Sequence, residues 1–515
     1  MKTIIIGLDG ASFRVIEENI DELPTLSTFI REGYSSKLIS TDPPTTSVAW
    51  PAFSTSQNPG AYGIYDFMNR DPATMEFQLN DARESLEGFF WQYMDEEIGL
   101  ASIPLIPYHD TDGFFVQGSL ARINEEQICD PPRLSADLPE EYDYRIDWRD
   151  DNEDIISGVK RRVEDRGAFY EELLRQFDLD MYFLMFNAID HIQHHFWAYM
   201  DETHPAHEPS EYEDVVLNIY KQVDSVLADL RRQLDSDANV FIVSDHGFQP
   251  NRMEVNINSV LEERGYLDYE VDLSGSILTK VHNIVKQYLS HEQITTIVPR
   301  IFQDAAREKM PINEHIGEAF NWHTTRAYSF GVMPNIYLNL EGREKHGTVS
   351  VSEYENLVCE LREVFLSLET PDGQQAFEQV KIGEELYEGT FEDLAPDLVL
   401  KPSEGVYCKS DINGPKFKKK TEAMPNSGVH EREGILIAHG PSIKQNASVS
   451  ESSHDIIDVG PTILKMHGYA PGQNFDGTAI DEALVESSAG DRFAEYREKA
   501  RIRDRVLSLH QLEEV

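Results

Sequence analysis

The sequence predicts an α/β protein with a mostly parallel central sheet flanked by helices and with further regions inserted between the core elements. Three observations carry that prediction. Thr3 to Leu8, Met181 to Phe186 and Asn239 to Val243 are short, continuous apolar runs, the pattern of strands buried on both faces. Each ends abruptly in polar residues, Asp9-Gly10, Asn187 and Ser244-Asp245, at the carboxyl rim where open α/β sheets bind ligands. Tyr212 to Leu234 carries Val216, Ile219, Tyr220, Val223, Val226, Leu227 and Leu230 on one helical stripe and leads straight into the third run, a helix–strand unit.

The remaining elements follow in chain order. After Asp9, Gly10 allows a sharp turn. Ser35 to Thr41 reads as a strand, and Asp42-Pro43-Pro44-Thr45-Thr46-Ser47 then places three hydroxyls in a row before a helix beginning near Ser47. Residues 71–151 are acidic and Pro-punctuated, without clear strand–helix alternation, and read as an insertion beside the site. Arg252 to Pro425 opens with a helical pattern (Val281, Ile284, Val285, Tyr288) and reads as a second insertion, a cap. His430 precedes another apolar strand, Ile435 to Ile437. Past Ser487, Phe493, Tyr496, Ala500 and Val506 share a helical face, read as docking on the same chain in preference to an oligomer contact. At 515 residues the chain exceeds one ordinary core. The expected division is a discontinuous core of 1–70, 152–250 and 426–485, insertions at 71–151 and 251–425, and a helical tail at 486–515.

The strand ends collect a particular chemistry. Asp245 and His246 are adjacent, and Asp9 ends the first strand. Asp190 and His194 are four apart, on one face of a helical turn; His191 and His195 share that spacing on a neighbouring face and compete for the role. Singly, each residue reads equally well as a helix cap or a solvated surface group. Together with His430 they make three Asp and three His, enough for two ions with three protein ligands each and a position left open on each ion. Two-metal sites suit displacement at phosphorus, one ion serving the attacking oxygen and the other the leaving one.

Composition sets further bounds. There are 92 acidic against 45 basic residues, a formal charge of −47, which argues against electrostatic tracking of nucleic acid. The acid runs along the whole chain with 10% aromatics, so it reads as adaptation to high salt rather than as a disordered acidic tail. Cys129, Cys359 and Cys408 are too few and too scattered for a disulfide framework or a zinc ribbon. Reduced thiols, no apolar signal core and no run long enough to span a bilayer point to a cytoplasmic protein. Gly414 to Lys420 is a lysine-rich run before His430, read as a solvated loop or as a guide for anions.

These motifs, in this order, resemble the type I phosphodiesterase/nucleotide pyrophosphatase branch of the alkaline phosphatase superfamily. Ile5-Ile6-Gly7-Leu8-Asp9-Gly10 is similar to its first strand, and Leu23-Pro24-Thr25-Leu26 with Arg31-Glu32-Gly33 to its first helix. Pro43-Pro44-Thr45-Thr46 with Ala49-Trp50, Asn58-Pro59-Gly60 and Gly63-Ile64-Tyr65-Asp66-Phe67 resemble its nucleophile region in prokaryotic members. Ser244-Asp245-His246-Gly247 resembles its metal motif. Gly342-Arg343-Glu344, Ala395-Pro396-Asp397-Leu398, Asp458-Val459-Gly460-Pro461-Thr462 and Phe475-Asp476-Gly477 complete the series. Val48, Ser56 and Tyr62 depart from the pattern, which commonly has proline, glycine and histidine there.

The resemblance implies an alkaline-phosphatase-like core and a metal-dependent hydrolase of phosphate esters, most of all phosphodiesters or nucleotide pyrophosphates. It implies one divalent ion on Asp190, His194 and His430 and another on Asp9, Asp245 and His246, with Zn²⁺ the first choice and Mn²⁺ the second. Thr46 is the implied nucleophile, forming a phosphothreonine that water hydrolyses with net retention at phosphorus; Ser47 is its alternate. The partner is a small phosphate-ester substrate. A sulfatase would need a Cys/Ser-x-Pro-x-Arg signature, and Ser47 to Pro51 lacks its proline and its arginine. A phosphomonoesterase, a metal-dependent phosphomutase and a non-catalytic binding protein on this scaffold are the competing readings.

Overall fold

The computed structural model describes residues 1–80, 86, 88–118, 129–139, 151–235, 237–269, 319–412, 414–470 and 475–485. Its centre is a nine-stranded sheet. In chain order the strands of this sheet are β1 (Thr3–Leu8), β2 (Tyr34–Ile39), β3 (Ile98–Ala101), β4 (Phe114–Val116), β5 (Cys129–Asp130), β6 (Met181–Phe186), β7 (Asn239–Val243), β8 (Glu433–His439) and β9 (Ala447–Asp455). Across the sheet they run β9-β2-β8-β7-β1-β6-β3-β4-β5. Only β8 and β5 oppose the common direction.

Both faces of the sheet are covered, and the period of two along each strand shows how. Ile4, Ile6 and Leu8 of β1, Tyr182, Leu184 and Phe186 of β6, and Val240 and Ile242 of β7 join one apolar core. Ile5, then Met181, Phe183 and Met185, then Phe241 and Val243 join the other. The first core is closed by helices Asn152–Gln176, Ala188–Met200 and Val215–Gln233, the last presenting Val216, Ile219, Tyr220, Val223, Leu227 and Leu230 as its stripe requires. The second is closed by helices Thr46–Thr55 and Val459–Met466, through Val48, Ala49, Trp50, Phe53, Val459 and Ile463.

Within residues 71–151, where the sequence shows no clear strand–helix alternation, β3, β4 and β5 extend the central sheet beyond β6. These strands have 4, 3 and 2 residues, too short for an apolar period to stand out.

A third core lies outside the main sheet. Helix Val351–Leu366 packs with the antiparallel strands Ala327–Tyr328, Asn335–Leu338, Phe377–Ile382 and Leu398–Pro402. Two sequence motifs meet here: Arg343 grips Asp397 with both terminal nitrogens, at 2.9 and 2.7 Å. Arg70, which follows the Gly63 to Phe67 motif, donates to buried Glu344 at 2.9 Å. The helical pattern through Val281, Ile284, Val285 and Tyr288 and the tail at 486–515 lie outside the described residues. Among the described residues no helix is long and apolar enough to cross a membrane.

Candidate metal centre

The carboxyl ends of β1, β6 and β7 lie side by side, since Leu8 pairs with Phe186 and Gly7 with Val243. Asp9 and Asp245 therefore emerge as neighbours, and the Gly10 N–H donates to Asp245 Oδ1 at 3.2 Å. Gly10 has φ +69°, and a Cβ there would meet the Phe248 ring at 2.8 Å and the Asp190 backbone at 3.1 Å. Helix Ala188–Met200 follows β6 and brings Asp190 and His194 onto one face. His430 lies on a short strand, Gly428–Glu431, paired antiparallel with Gly247–Pro250 so that it stands opposite Phe248.

All six ligands expected from the sequence gather into two groups. Asp190, His194 and His430 form one and Asp9, Asp245 and His246 the other, with ligand atoms within 4.8 Å of one another in each. In the first, Asp190 Oδ1 is 3.5 Å from His194 Nε2 and 3.3 Å from His430 Nε2. In the second, His246 Nε2 is 3.6 Å from Asp9 Oδ1 and 3.3 Å from Asp245 Oδ2. Of the three adjacent hydroxyls, that of Thr46 reaches this second group, donating to Asp9 Oδ1 at 3.5 Å and lying 3.4 Å from His246 Nε2. Thr45 and Ser47 are fully buried, with hydroxyls that find no hydrogen-bond partner among the described residues. Thr46 is the first residue of its helix, so its N–H and that of Ser47 are among the free donors at that helix end.

Neither competing histidine joins the two groups. Arg162 donates to His191 Nδ1 at 2.8 Å, and burial followed by the charge of Arg162 pushes His191 down to about 3. His195 is fully buried on another face of the helix, and burial holds it well below its usual value. In the lysine-rich run, Lys416 pairs with Glu263 and Lys420 donates to the Pro425 carbonyl at 2.6 Å.

These residues fit metal ions. Each ligand histidine has Nδ1 against a backbone carbonyl, His194 on Gly428 at 2.9 Å, His430 on Pro44 at 3.1 Å and His246 on Gly247 at 3.1 Å. A carbonyl only accepts, so Nδ1 carries the proton and the Nε2 lone pair faces the cluster. The Nε2 atoms of His194 and His430 then stand 3.0 Å apart, which needs a proton or a cation between them. Among the described residues, the buried atoms Asp190 Oδ1 and Asp245 Oδ2 find no hydrogen-bond partner, an arrangement that costs free energy unless a cation compensates it.

Protonation differs between the groups. Burial, then Asp245 and Asp190, hold the Asp9 carboxyl well above the usual range. Burial and then Asp190 push Asp245 up to about 7. Burial also opposes the charge on Asp190, but His194 and His430 outweigh it and hold that carboxyl well below its usual range. Burial likewise opposes charge on His194, yet Asp190 keeps it raised, whereas burial lowers His246 and His430.

Supporting residues had no ligand-like signal in the sequence. The Phe248 ring lies 4.8 Å from His194, 5.4 Å from His430 and 6.0 Å from His246, and so touches both groups. Gln193 donates to the Gly10 carbonyl at 2.8 Å and accepts from Tyr220, while Ser244 donates to the Ala11 carbonyl at 2.9 Å. Tyr62, the departure from the family pattern, donates to the Val48 carbonyl at 2.9 Å and so braces the helix that Thr46 begins. The signal for Phe248 was only its place two residues beyond His246 on a strand.

Carboxylates and histidines at the rim of a largely parallel sheet, beside a helix-start threonine, make this a hydrolase of the alkaline phosphatase superfamily. The chain belongs to the type I phosphodiesterase/nucleotide pyrophosphatase family, whose model matches residues 3–434. Its fold is similar to that of human ectonucleotide pyrophosphatase/phosphodiesterase 5, with TM-score 0.51 and 12% identity over 94% of this chain and 100% of that one. The murine protein of the same name, as an inactive variant in complex with AMP, gives TM-score 0.48 at 12% identity and the same coverage, 94% and 100%. No curated protein matches the chain.

Proposed function

We propose that the chain cleaves phosphodiesters or nucleotide pyrophosphates through a phosphothreonine at Thr46, with one divalent ion held by Asp190, His194 and His430 and a second by Asp9, Asp245 and His246. The observation that carries this reading is the Thr46 hydroxyl, 3.5 Å from Asp9 Oδ1 and 3.4 Å from His246 Nε2. When bound, the ions supply the positive charge that lowers the pKa of a neighbouring hydroxyl and offsets the phosphoryl oxygens. Thr46 Oγ1 attacks phosphorus and the alcohol or phosphate leaves. The free N–H groups of Thr46 and Ser47 face the resulting anion. Water then displaces Thr46 from phosphorus, and two in-line displacements give net retention.

Mixed Asp/His ligation suits Zn²⁺ first and Mn²⁺ second. Residues 1–70, 152–250 and 426–485 would form the catalytic core, and 251–425 a cap that meets the second part of the substrate. A formal charge of −47 suits a cytoplasm of high salt, where self-repulsion is screened.

The test is hydrolysis of bis-p-nitrophenyl phosphate and of p-nitrophenyl phosphate in molar KCl with Zn²⁺ or Mn²⁺, for the wild type and Thr46→Ala. Metal-dependent diester cleavage that Thr46→Ala abolishes is the expected result. A preference for the monoester would replace this reading with a phosphatase or mutase.

A further inference from the structure

The chain leaves the candidate metal centre for the third core and returns from it beside Asp190, His194 and His430. The outgoing strand Met253–Asn256 follows Gly247–Pro250, and the returning strand Phe417–Lys419 pairs antiparallel with it. Just past that pairing the Lys420 N–H donates to the Arg252 carbonyl at 3.0 Å. Asn251 donates through its N–H to the Ser427 carbonyl at 2.7 Å and through Nδ2 to the Asn426 carbonyl at 2.9 Å. One side chain closes the stretch between: Lys420 Nζ donates to the Pro425 carbonyl at 2.6 Å.

Segment 425–430 then orients two of the candidate ligands. The Ser427 N–H donates to the His194 carbonyl at 2.7 Å, and Ser427 Oγ accepts from the Ala198 N–H at 3.1 Å. The Gly428 carbonyl accepts from His194 Nδ1 at 2.9 Å and so aims Nε2 at the cluster. His430 lies two residues further on. A displacement of this segment therefore moves one ligand and the group that orients another. Asp9 and Asp245 instead stand at the ends of β1 and β7, and His246 is oriented by the carbonyl of its own neighbour, Gly247.

Lys420 is only 4% exposed, and among the described residues its ammonium meets a backbone carbonyl and no carboxylate. Glu254, the acid on the adjacent strand, is paired with Lys409 at 2.8 Å. Burial lowers Lys420 to about 8, with Glu254 and Glu422 favouring its charge and Lys409 and Lys418 opposing it, so the ammonium persists at pH 7. A methionine of similar length would fill the same space without burying a charge, so packing alone gives no reason for a lysine here.

We propose that Lys420 is a positioning residue whose side chain ties the strand returning from the third core to segment 425–430 and thereby holds His194 and His430 in the geometry that receives an ion. This inference rests on the proposed use of Asp190, His194 and His430 as one ligand group. It gives the last residue of the lysine-rich run a role inside the fold, distinct from both a solvated loop and a guide for anions.

The experiment measures Zn²⁺ binding by calorimetry in molar KCl, with and without Lys420→Met, in two backgrounds. His246→Ala keeps the group of Asp190, His194 and His430, and His194→Ala keeps the other. The expected result is about tenfold weaker binding in His246→Ala, with binding in His194→Ala unchanged. A loss below about threefold in His246→Ala, or the same loss in both backgrounds, overturns the proposal. Lys420→Arg, which keeps a charged donor, is expected to recover part of the loss. Hydrogen exchange of the metal-free full chain gives a second readout at the Ser427 amide. Exchange about tenfold faster in Lys420→Met is expected there, with the Gly10 amide at its wild-type rate, and unchanged exchange at Ser427 overturns the proposal. Should His246→Ala bind no Zn²⁺, the ligand reading fails, and hydrogen exchange alone then decides whether Lys420 positions His194.

Discussion

Asp9, Asp245 and His246 stand on adjacent strand ends in the centre of the sheet and are buried at 3%, 0% and 0% exposure, while Asp190, His194 and His430 come from a helix and a two-stranded edge, with His194 side-chain exposure at 22%. The inner group places two carboxyls together with one histidine, and both carboxyls are raised. The outer group gives one carboxyl two histidines, and that carboxyl is lowered. Burial is common to both; the neighbours decide the sign. The inner group thus holds protons until a cation displaces them, whereas the histidines of the outer group keep Asp190 charged.

Ligand removal probes this contrast most strongly. His246→Ala opens the group that Thr46 leans on and lowers kcat by about a thousandfold, whereas His194→Ala costs about a hundredfold. Steady-state kinetics with saturating Zn²⁺ measure both, and the reverse order would break the comparison.

Proton competition should give the next largest effect. An ion in the inner group must displace the proton of Asp245, raised to about 7, so its affinity falls by about tenfold for each pH unit below 7, and the raised Asp9 carboxyl steepens that fall further. In the outer group only His194 is raised, and its single proton gives about tenfold per unit. Metal titration of His194→Ala, which leaves the inner group intact, against His246→Ala, which leaves the outer, reads the two slopes directly. Equal slopes would remove the distinction.

Phe248→Leu acts on both groups at once, since the ring touches all three histidines. It should cost about 1–2 kcal/mol of stability and weaken both ions together, as thermal melting and metal titration would show. Loss at a single group would mean that Phe248 supports only that one. The smallest effect is expected of Tyr62→Phe. Removing the hydroxyl from the Val48 carbonyl should lower stability by about 1 kcal/mol in denaturant unfolding and leave metal stoichiometry at the wild-type value.

The sequence showed the inner group more clearly than the outer one. Strand, then Asp, at residues 3–9 and 239–245 is a local pattern, and parallel pairing alone makes those ends neighbours. Asp190 and His194 were legible as a pair, but the choice over His191 depends on Arg162, a residue from a different helix, and that over His195 on its burial within the fold. His430 had no local signal beyond preceding an apolar strand; its place comes from a four-residue strand paired with Gly247–Pro250. β3, β4 and β5 escaped notice because short strands carry little period.

The order of the ligands along the chain has a consequence for biosynthesis. β1 is laid down first yet occupies the middle of the sheet, and Gly10 binds Asp245, 235 residues further on. His430 reaches back to Pro44 across 386 residues. Such distant pairings form slowly, because loop closure precedes any reward from contact. During translation the apolar β1 waits for β6 and β7 to emerge, and the outer group is completed only when nearly all of the described chain has left the ribosome. A nascent chain therefore carries Thr46 long before it can assemble the surroundings proposed to activate it.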